Sequence, residues 1–203
     1  MGKISENLSC VILAGGKNSR FNGQNKAFLK INGKAIIDII IEKLDTLFKE
    51  IIIITNTPDD YNIYLKRIKI FTDLIKNTGP IGGIYTGLSQ ISNPAAFIVS
   101  CDMPFLNIDL IKQQISEFEE NKYDIFIPRV NNSIEPLHAI YKRSILNKLD
   151  THLQTCKGYS IRDFFPLINL GFFDLENNSI NQKAFTNINT ADDLKKLSEK
   201  EIL

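Results

Sequence analysis

The sequence predicts an α/β protein built on a mostly parallel, twisted sheet with helices on both faces. Two observations carry that expectation. Short apolar runs alternate, up to about residue 130, with stretches whose apolar residues recur every three or four positions. Strands alternating with helices are joined by crossovers, which pair the strands in parallel. The glycines, amides and carboxylates that could do chemistry stand directly after the apolar runs, where open sheets of this kind bind ligands.

Ser9 to Leu13 reads as the first strand, cut off by Ala14, Gly15 and Gly16. From Lys34 to Phe48, Ile36, Ile37, Ile40, Ile41, Leu44, Leu47 and Phe48 define one face of a helix. Glu50 to Thr55 contains four consecutive isoleucines, as expected of a strand buried on both faces. Lys69 to Thr72 is a weaker third strand. Gly82 to Ile91 is a helix following a turn that begins at Gly79 and Pro80, and Ala95 to Ser100 is a fourth strand. Ile108 to Glu119 is a helix with Asn107 as its N-cap, and Tyr123 to Pro128 is a fifth strand. Past residue 130 the pattern changes. Asn131, Asn132 and Ser133 form a turn between two short strands, and His138 to Tyr141 is a strand. Ser144 to Leu153 and Ser160 to Phe165 are helices, and Thr190, Asp192 and Asp193 open a last helix with an acidic first turn. Residues 1–203 read as one domain with an extended second lobe from 130 onward.

Composition narrows the functional classes. A chain of 203 residues, 43% hydrophobic and 23% charged, buries enough surface to fold without a disulfide or metal staple. Its net charge of +1 argues against nucleic-acid or membrane-surface binding by bulk charge, so an anionic ligand needs a local site. Cys10, Cys101 and Cys156 are odd in number and lack a C-x-x-C spacing, which suits free thiols in a reducing compartment. The first residues lack a signal-peptide apolar region. The apolar runs fall well short of the ~20 residues that span a bilayer. Together these features lead us to expect a cytoplasmic protein with no membrane or nucleic-acid partner.

Four stretches could carry chemistry. Leu13, Ala14, Gly15 and Gly16 follow the first strand, and Lys17, Arg20 and Lys26 add positive charge nearby. Adjacent glycines let backbone N–H groups approach phosphate oxygens, and a triphosphate suits the cations. The spacing is neither a P-loop nor a dinucleotide fingerprint, and a plain tight turn is the bland alternative. Asp102, after the fourth strand, is placed to hold Mg²⁺ through oxygen; otherwise it caps the turn fixed by Pro104. Asp73 could accept from the N1–H and N2 amine of guanine, and Asn56 could read a base or ribose. Gly82 and Gly83 could open a helix N-terminus toward a phosphate. Each of these residues could equally be an ordinary loop or turn residue. Asn187 and Asn189 alternate along an extended segment, so they share a face and could complete a metal or phosphate site; otherwise they lead into a helix capped by Thr190. His138 lies in an apolar run and reads as core, while His152 stands on a helix among polar neighbours.

In combination the four stretches resemble the molybdenum cofactor guanylyltransferase family, nucleotidyltransferases of GT-A-like, Rossmann-like fold. The resemblance covers nearly the whole chain: Leu13 to Gly16 with Arg20 and Lys26, Gly33, Gly79 to Gly83, Cys101 to Phe105, Glu135 to Leu137, and Asn187 to Thr190. The chain departs from the family pattern at Asn22, where Gly is usual, and at Asn25, where Asp is usual. The resemblance implies GTP binding by Leu13, Ala14, Gly15, Gly16, Lys26, Asn56 and Asp73, with Asp102 binding both nucleotide and Mg²⁺. It places Gly82, Gly83, Asn187 and Asn189 near the phosphates and acceptor. It assigns catalysis to Asp102, Lys26 and Arg20. Residues 1–129 then form the nucleotide-binding half and 130–203 the pterin or acceptor lobe. Lys157, Tyr159 and Arg162 are candidate pterin contacts on other grounds, as donors to an anionic ligand beside the turn at Gly158. The implied reaction is attack by the terminal phosphate of the molybdopterin cofactor on the α-phosphorus of GTP, releasing pyrophosphate. The implied partners are GTP, the molybdopterin molybdenum cofactor, and cofactor-biosynthesis proteins or apo-molybdoenzymes. Two other readings stay open: a related transferase using CTP or another phosphate acceptor, and a non-catalytic nucleotide-binding protein.

Overall fold

Alternation along the strands divides the apolar residues between two cores, one on each side of the sheet. The structure, a computed structural model, describes residues 7–15, 25–156, 158–188 and 193. Strand β1 (Leu8–Leu13) pairs in parallel with β4 (Ile51–Ile54) on one side and with β6 (Ala95–Ser100) on the other. Cys10, Ile12, Ile53, Phe97 and Val99 face one core, while Val11, Leu13, Ile52, Ile54, Ala96 and Ile98 face the other. This is the period of two that a pleated strand imposes. All four isoleucines of β4 are therefore buried, as a central strand with both faces covered requires.

Helix α1 (Ile36–Asp45) and helix α3 (Ile108–Glu119) cover the first face. The stripe Ile36, Ile37, Ile40, Ile41 and Leu44 of α1 is buried throughout. Each such side chain contributes about 1.5–3 kcal/mol relative to exposure, an upper bound because the unfolded chain is itself partly collapsed. Asn107 caps α3 by accepting from the N–H groups of Asp109 and Leu110. Helix α2 (Pro80–Gln90) and helix α4 (Leu146–Thr155) cover the second face. At Gly87, a Cβ would lie 2.6 Å from Val11 Cγ1, so the missing side chain lets α2 lie close on β1.

The sheet order is β10-β7-β9-β6-β1-β4-β5, with β5 Lys69–Phe71, β7 Ile125–Val130, β9 His138–Lys142 and β10 Leu170–Leu175. β9 runs antiparallel between β6 and β7, and β10 is parallel to β7. A short strand β8 (Ser133–Ile134) returns along β7 through a turn at Asn131, whose φ is +54°. The elements after residue 130 are thus woven into the same sheet as β1.

Several elements differ from the sequence expectation. A two-residue hairpin, β2 (Lys30–Ile31) and β3 (Lys34–Ala35), precedes α1 where a longer helix was expected. Its turn is Asn32 and Gly33, both at positive φ. The segment Pro58–Tyr64 is a 3-10 helix, as is Ile161–Leu167, whose N-cap is Ser160. β10 and the short helix α5 (Ser179–Ala184) are additional elements. His138 is core, as expected: it is buried edge-on between the rings of Phe97 and Phe185, at 4.9 and 5.0 Å. Burial pulls its pKa down to about 4. His152, though flanked in sequence by polar residues, packs inward from α4 against Phe164. All three cysteines are free. Among the described residues no helix is long and apolar enough to cross a membrane. The helix expected at Thr190 lies outside the described residues, apart from Asp193.

Candidate active site

The carboxyl ends of β1, β4, β5 and β6 carry the candidate residues to one edge of the sheet. Backbone hydrogen bonds continue just past the strands: Ala14 N–H donates to Ile54 O, Thr55 N–H to Phe71 O, and Cys101 N–H to Leu13 O, at 2.8–3.0 Å. The loops therefore leave the sheet side by side.

Gly15, Asn56 and Asp73 meet there. The Asn56 amide donates to Asp73 Oδ2 at 2.9 Å. A Cβ on Gly15 would lie 3.4 Å from both Asn56 Nδ2 and Asp73 Oδ2, so glycine keeps this surface open to a flat ligand. Asp73 Oδ1 is buried without a partner. Burial pushes the Asp73 carboxyl above its usual range, and the Asn56 amide opposes that shift. A buried carboxylate oxygen without a donor is costly, which is physically sensible where a ligand supplies one. Gly83 joins the group: its Cβ would lie 3.1 Å from Leu13 and 3.5 Å from Asp73 Oδ1. Gly82 faces elsewhere, since its Cβ would collide with Thr78 Oγ1 at 1.8 Å. The glycine at 82 packs the first turn of α2 on the preceding loop.

A second group forms around Asp102. Its backbone carbonyl accepts from Ile188 N–H at 2.9 Å, which brings Asn187 alongside. Asp102 Oδ1 and Asn187 Oδ1 are both buried without partners. Both residues line a cavity of about 380 Å³ that also holds Ser100, Glu135 and Arg162. Burial pushes the Glu135 carboxyl up; the Arg162 charge opposes this and the Asp102 charge adds to it. From α1, the Lys43 ammonium donates to Pro104 O at 3.2 Å and Leu106 O at 2.9 Å, tying down the loop that carries Asp102. Burial, then the nearby Lys183, lowers the Lys43 pKa.

Lys26 lies on the side of the second group. It begins a 3-10 turn, Lys26–Phe28, capped by Asn25, whose Oδ1 accepts from Ala27 N–H. Burial and Asp102 push the Cys101 thiol up to about 12 while Lys26 pulls it down, so the ammonium lies within reach of the end of β6. Gly16, Arg20, Asn22, Lys157 and Asn189 lie outside the described residues. Tyr159 is exposed. Sequence reasoning missed Lys43, whose role depends on a loop some sixty residues away. It also missed Asp60 beside Asn25. Among the described residues no cluster of three or more His, Cys, Asp or Glu could hold a metal alone. An ion here would rely on Asp102, Asn187 and ligand oxygens.

This architecture is that of a nucleotidyltransferase. The structure of CMP:2-keto-3-deoxy-manno-octonic acid synthetase complexed with CTP matches it with a TM-score of 0.74 over 97% of this chain and 99% of that one, a likeness of fold at 13% identity. The model of the MobA-like NTP transferase domain matches residues 10–166, and the chain belongs to that family. A probable molybdenum cofactor guanylyltransferase of Natranaerobius thermophilus is 36% identical, over 94% of this chain and 95% of its own length. The crystal structure of molybdopterin-guanine dinucleotide biosynthesis protein A from Archaeoglobus fulgidus is similar with a TM-score of 0.77 and 25% identity, covering 95% and 97% of the two chains.

Proposed function

We infer that this chain transfers GMP from GTP to the terminal phosphate of the molybdopterin molybdenum cofactor, releasing pyrophosphate and forming the guanine dinucleotide cofactor. The observation that carries the choice of nucleotide is the unpartnered Asp73 Oδ1 beside Asn56. A carboxylate accepts from the adjacent N1–H and N2 amine of guanine, whereas cytosine offers no such pair of donors. The 36% identity to a probable molybdenum cofactor guanylyltransferase, over nearly the whole chain, supports the acceptor.

Leu13, Ala14 and Gly15 form the floor under the nucleotide, and Lys26 holds the triphosphate, together with Arg20. The donor set around Asp102 suits Mg²⁺: two buried oxygens without partners, Asp102 Oδ1 and Asn187 Oδ1, are hard ligands of the kind this ion takes alongside phosphates. Bound there, it would neutralise charge on the reacting phosphates. Residues 130–203 supply the acceptor side, where Arg162 in the cavity beside Asp102 pairs with an acceptor anion. The acceptor phosphate is already anionic, so no general base is needed. The protein's contribution is to position two anions in line and offset their repulsion. The reading also places the enzyme in the cytoplasm, where its free thiols stay reduced.

Incubation with each α-labelled nucleoside triphosphate, Mg²⁺ and the molybdopterin cofactor tests the proposal. Label transfer from GTP alone is expected. Transfer from CTP, or nucleotide binding without transfer, would overturn it.

A further inference from the structure

The Asn25 side chain joins the turn of Lys26–Phe28 to the segment that follows β4. Its Oδ1 accepts from Ala27 N–H at 3.1 Å and so shapes the turn that starts at Lys26. Its Nδ2 points the other way, toward the segment that follows β4: Asp60 Oδ2 lies at 3.1 Å, the Tyr61 hydroxyl at 3.2 Å and Thr57 Oγ1 at 3.4 Å. Thr57 is anchored in turn, its N–H donating to Thr55 Oγ1 at 3.2 Å. Tyr61 is fully buried and packs on Phe28, with ring centroids 5.0 Å apart. Asn56, which bonds Asp73, lies between Thr55 and Thr57.

Of these groups Asp60 can only accept while ionised, so the atom facing it must donate. An amide at position 25 meets both demands, accepting toward Ala27 and donating toward Asp60. A carboxylate at 25 would still cap the turn but would set two negative charges about 3 Å apart. Two like charges that close repel even when partly screened by solvent.

We propose that Asn25 is a positioning residue for GTP binding: through matched hydrogen bonds to Ala27 N–H and Asp60 it fixes the Lys26 turn against the Asn56 segment, and the amide–carboxylate pairing of 25 with 60 is a matched set that can be exchanged. The proposal rests on the reading of Lys26 as a triphosphate ligand. The pairing holds the two ends of the nucleotide site at a fixed separation, one holding phosphate and the other the base. Because Asn25 acts through the Lys26 turn, its loss is expected to act on ligand retention rather than on the reacting atoms.

The experiment is a charge exchange on the full chain. Asn25→Asp should raise the GTP Kd and KM about tenfold or more, with a much smaller change in kcat. Asp60→Asn alone should stay within about threefold of wild type, because an amide at position 60 can present its carbonyl to the Asn25 amide. The double variant Asn25→Asp with Asp60→Asn restores one donor facing one carboxylate and should recover most of the lost affinity. Lys26→Ala is measured alongside. If Lys26→Ala leaves GTP binding unchanged, the underlying reading fails. If Lys26→Ala weakens binding but Asn25→Asp does not, or the double variant is no better than Asn25→Asp, the matched pairing alone is refuted. Thermal melts of every variant separate these outcomes from loss of fold.

Discussion

The two ends of the same parallel strands treat their carboxylates in opposite ways. At the amino end, Glu50 has its full complement of donors: Ser9 Oγ, Ser92 N–H, Ser92 Oγ and Lys69 Nζ all donate to it. Asn93 donates to Ser9 Oγ and extends the network. Burial alone would raise the Glu50 carboxyl, but the bonds from Lys69, Ser9 and Ser92 outweigh it and hold the group at about 2. At the carboxyl end, Asp73 and Asp102 each leave one buried oxygen with no partner. One end uses its polar groups to close the fold; the other leaves buried oxygens that the proposed ligands would satisfy. On the proposed function, the difference separates structural from ligand-binding carboxylates by what is missing around them.

Substitutions at each end test that contrast. The largest effect is expected at Asp102→Ala. Removing one charge-stabilising group typically costs about 2.7–4 kcal/mol of transition-state stabilisation, so kcat should fall about 100- to 1,000-fold while the melting temperature barely moves. Turnover like that of wild type in label-transfer kinetics would remove Asp102 from the chemistry. Next, Asp73→Asn should weaken GTP binding by about 10- to 100-fold, the scale of a charged hydrogen bond, and narrow the preference for GTP over other triphosphates. Calorimetric titration checks this, and an unchanged affinity would place guanine elsewhere. At the other end, Glu50→Gln should leave kcat alone and lower stability by about 1–3 kcal/mol, read by urea melts. The sign with pH follows from a folded pKa held below the unfolded 4.5. The stabilisation is complete above about 4.5 and is lost as pH falls toward 2, so the variant should show a flatter acid limb over that window. The smallest effect is expected at Lys43→Met, which keeps the stem but frees Pro104 O and Leu106 O. A few-fold loss of kcat with an unchanged KM for GTP would show the loop under Asp102 loosening.

The parts of this molecule legible in its sequence are those governed by short-range periodicity. The isoleucine run of β4 and the stripe of α1 declare themselves because every apolar residue in them is buried. The placement of Gly15, Asn56, Asp73 and Asp102 just after strands was equally readable, because the end of an apolar run marks the edge of a sheet. The position of β9 was not. It enters between β6 and β7 by pairing with β6 residues some forty positions away and β7 residues some fifteen away, and no local pattern encodes that. β10 was hidden by Gly171 and by only partial burial. The small hairpin before α1 had a readable signal, Asn32 followed by Gly33, but its strands are too short to show alternation. The contacts of Asn25 and Lys43 depend on loops brought together by the finished fold.

The insertion of β9 has a mechanical consequence. Because that strand is laced on both sides to neighbours of the same sheet, the segment bearing Glu135 and the loop bearing Asp102 share one continuous frame. On the proposed reaction, donor and acceptor would meet on this one frame rather than between two hinged halves.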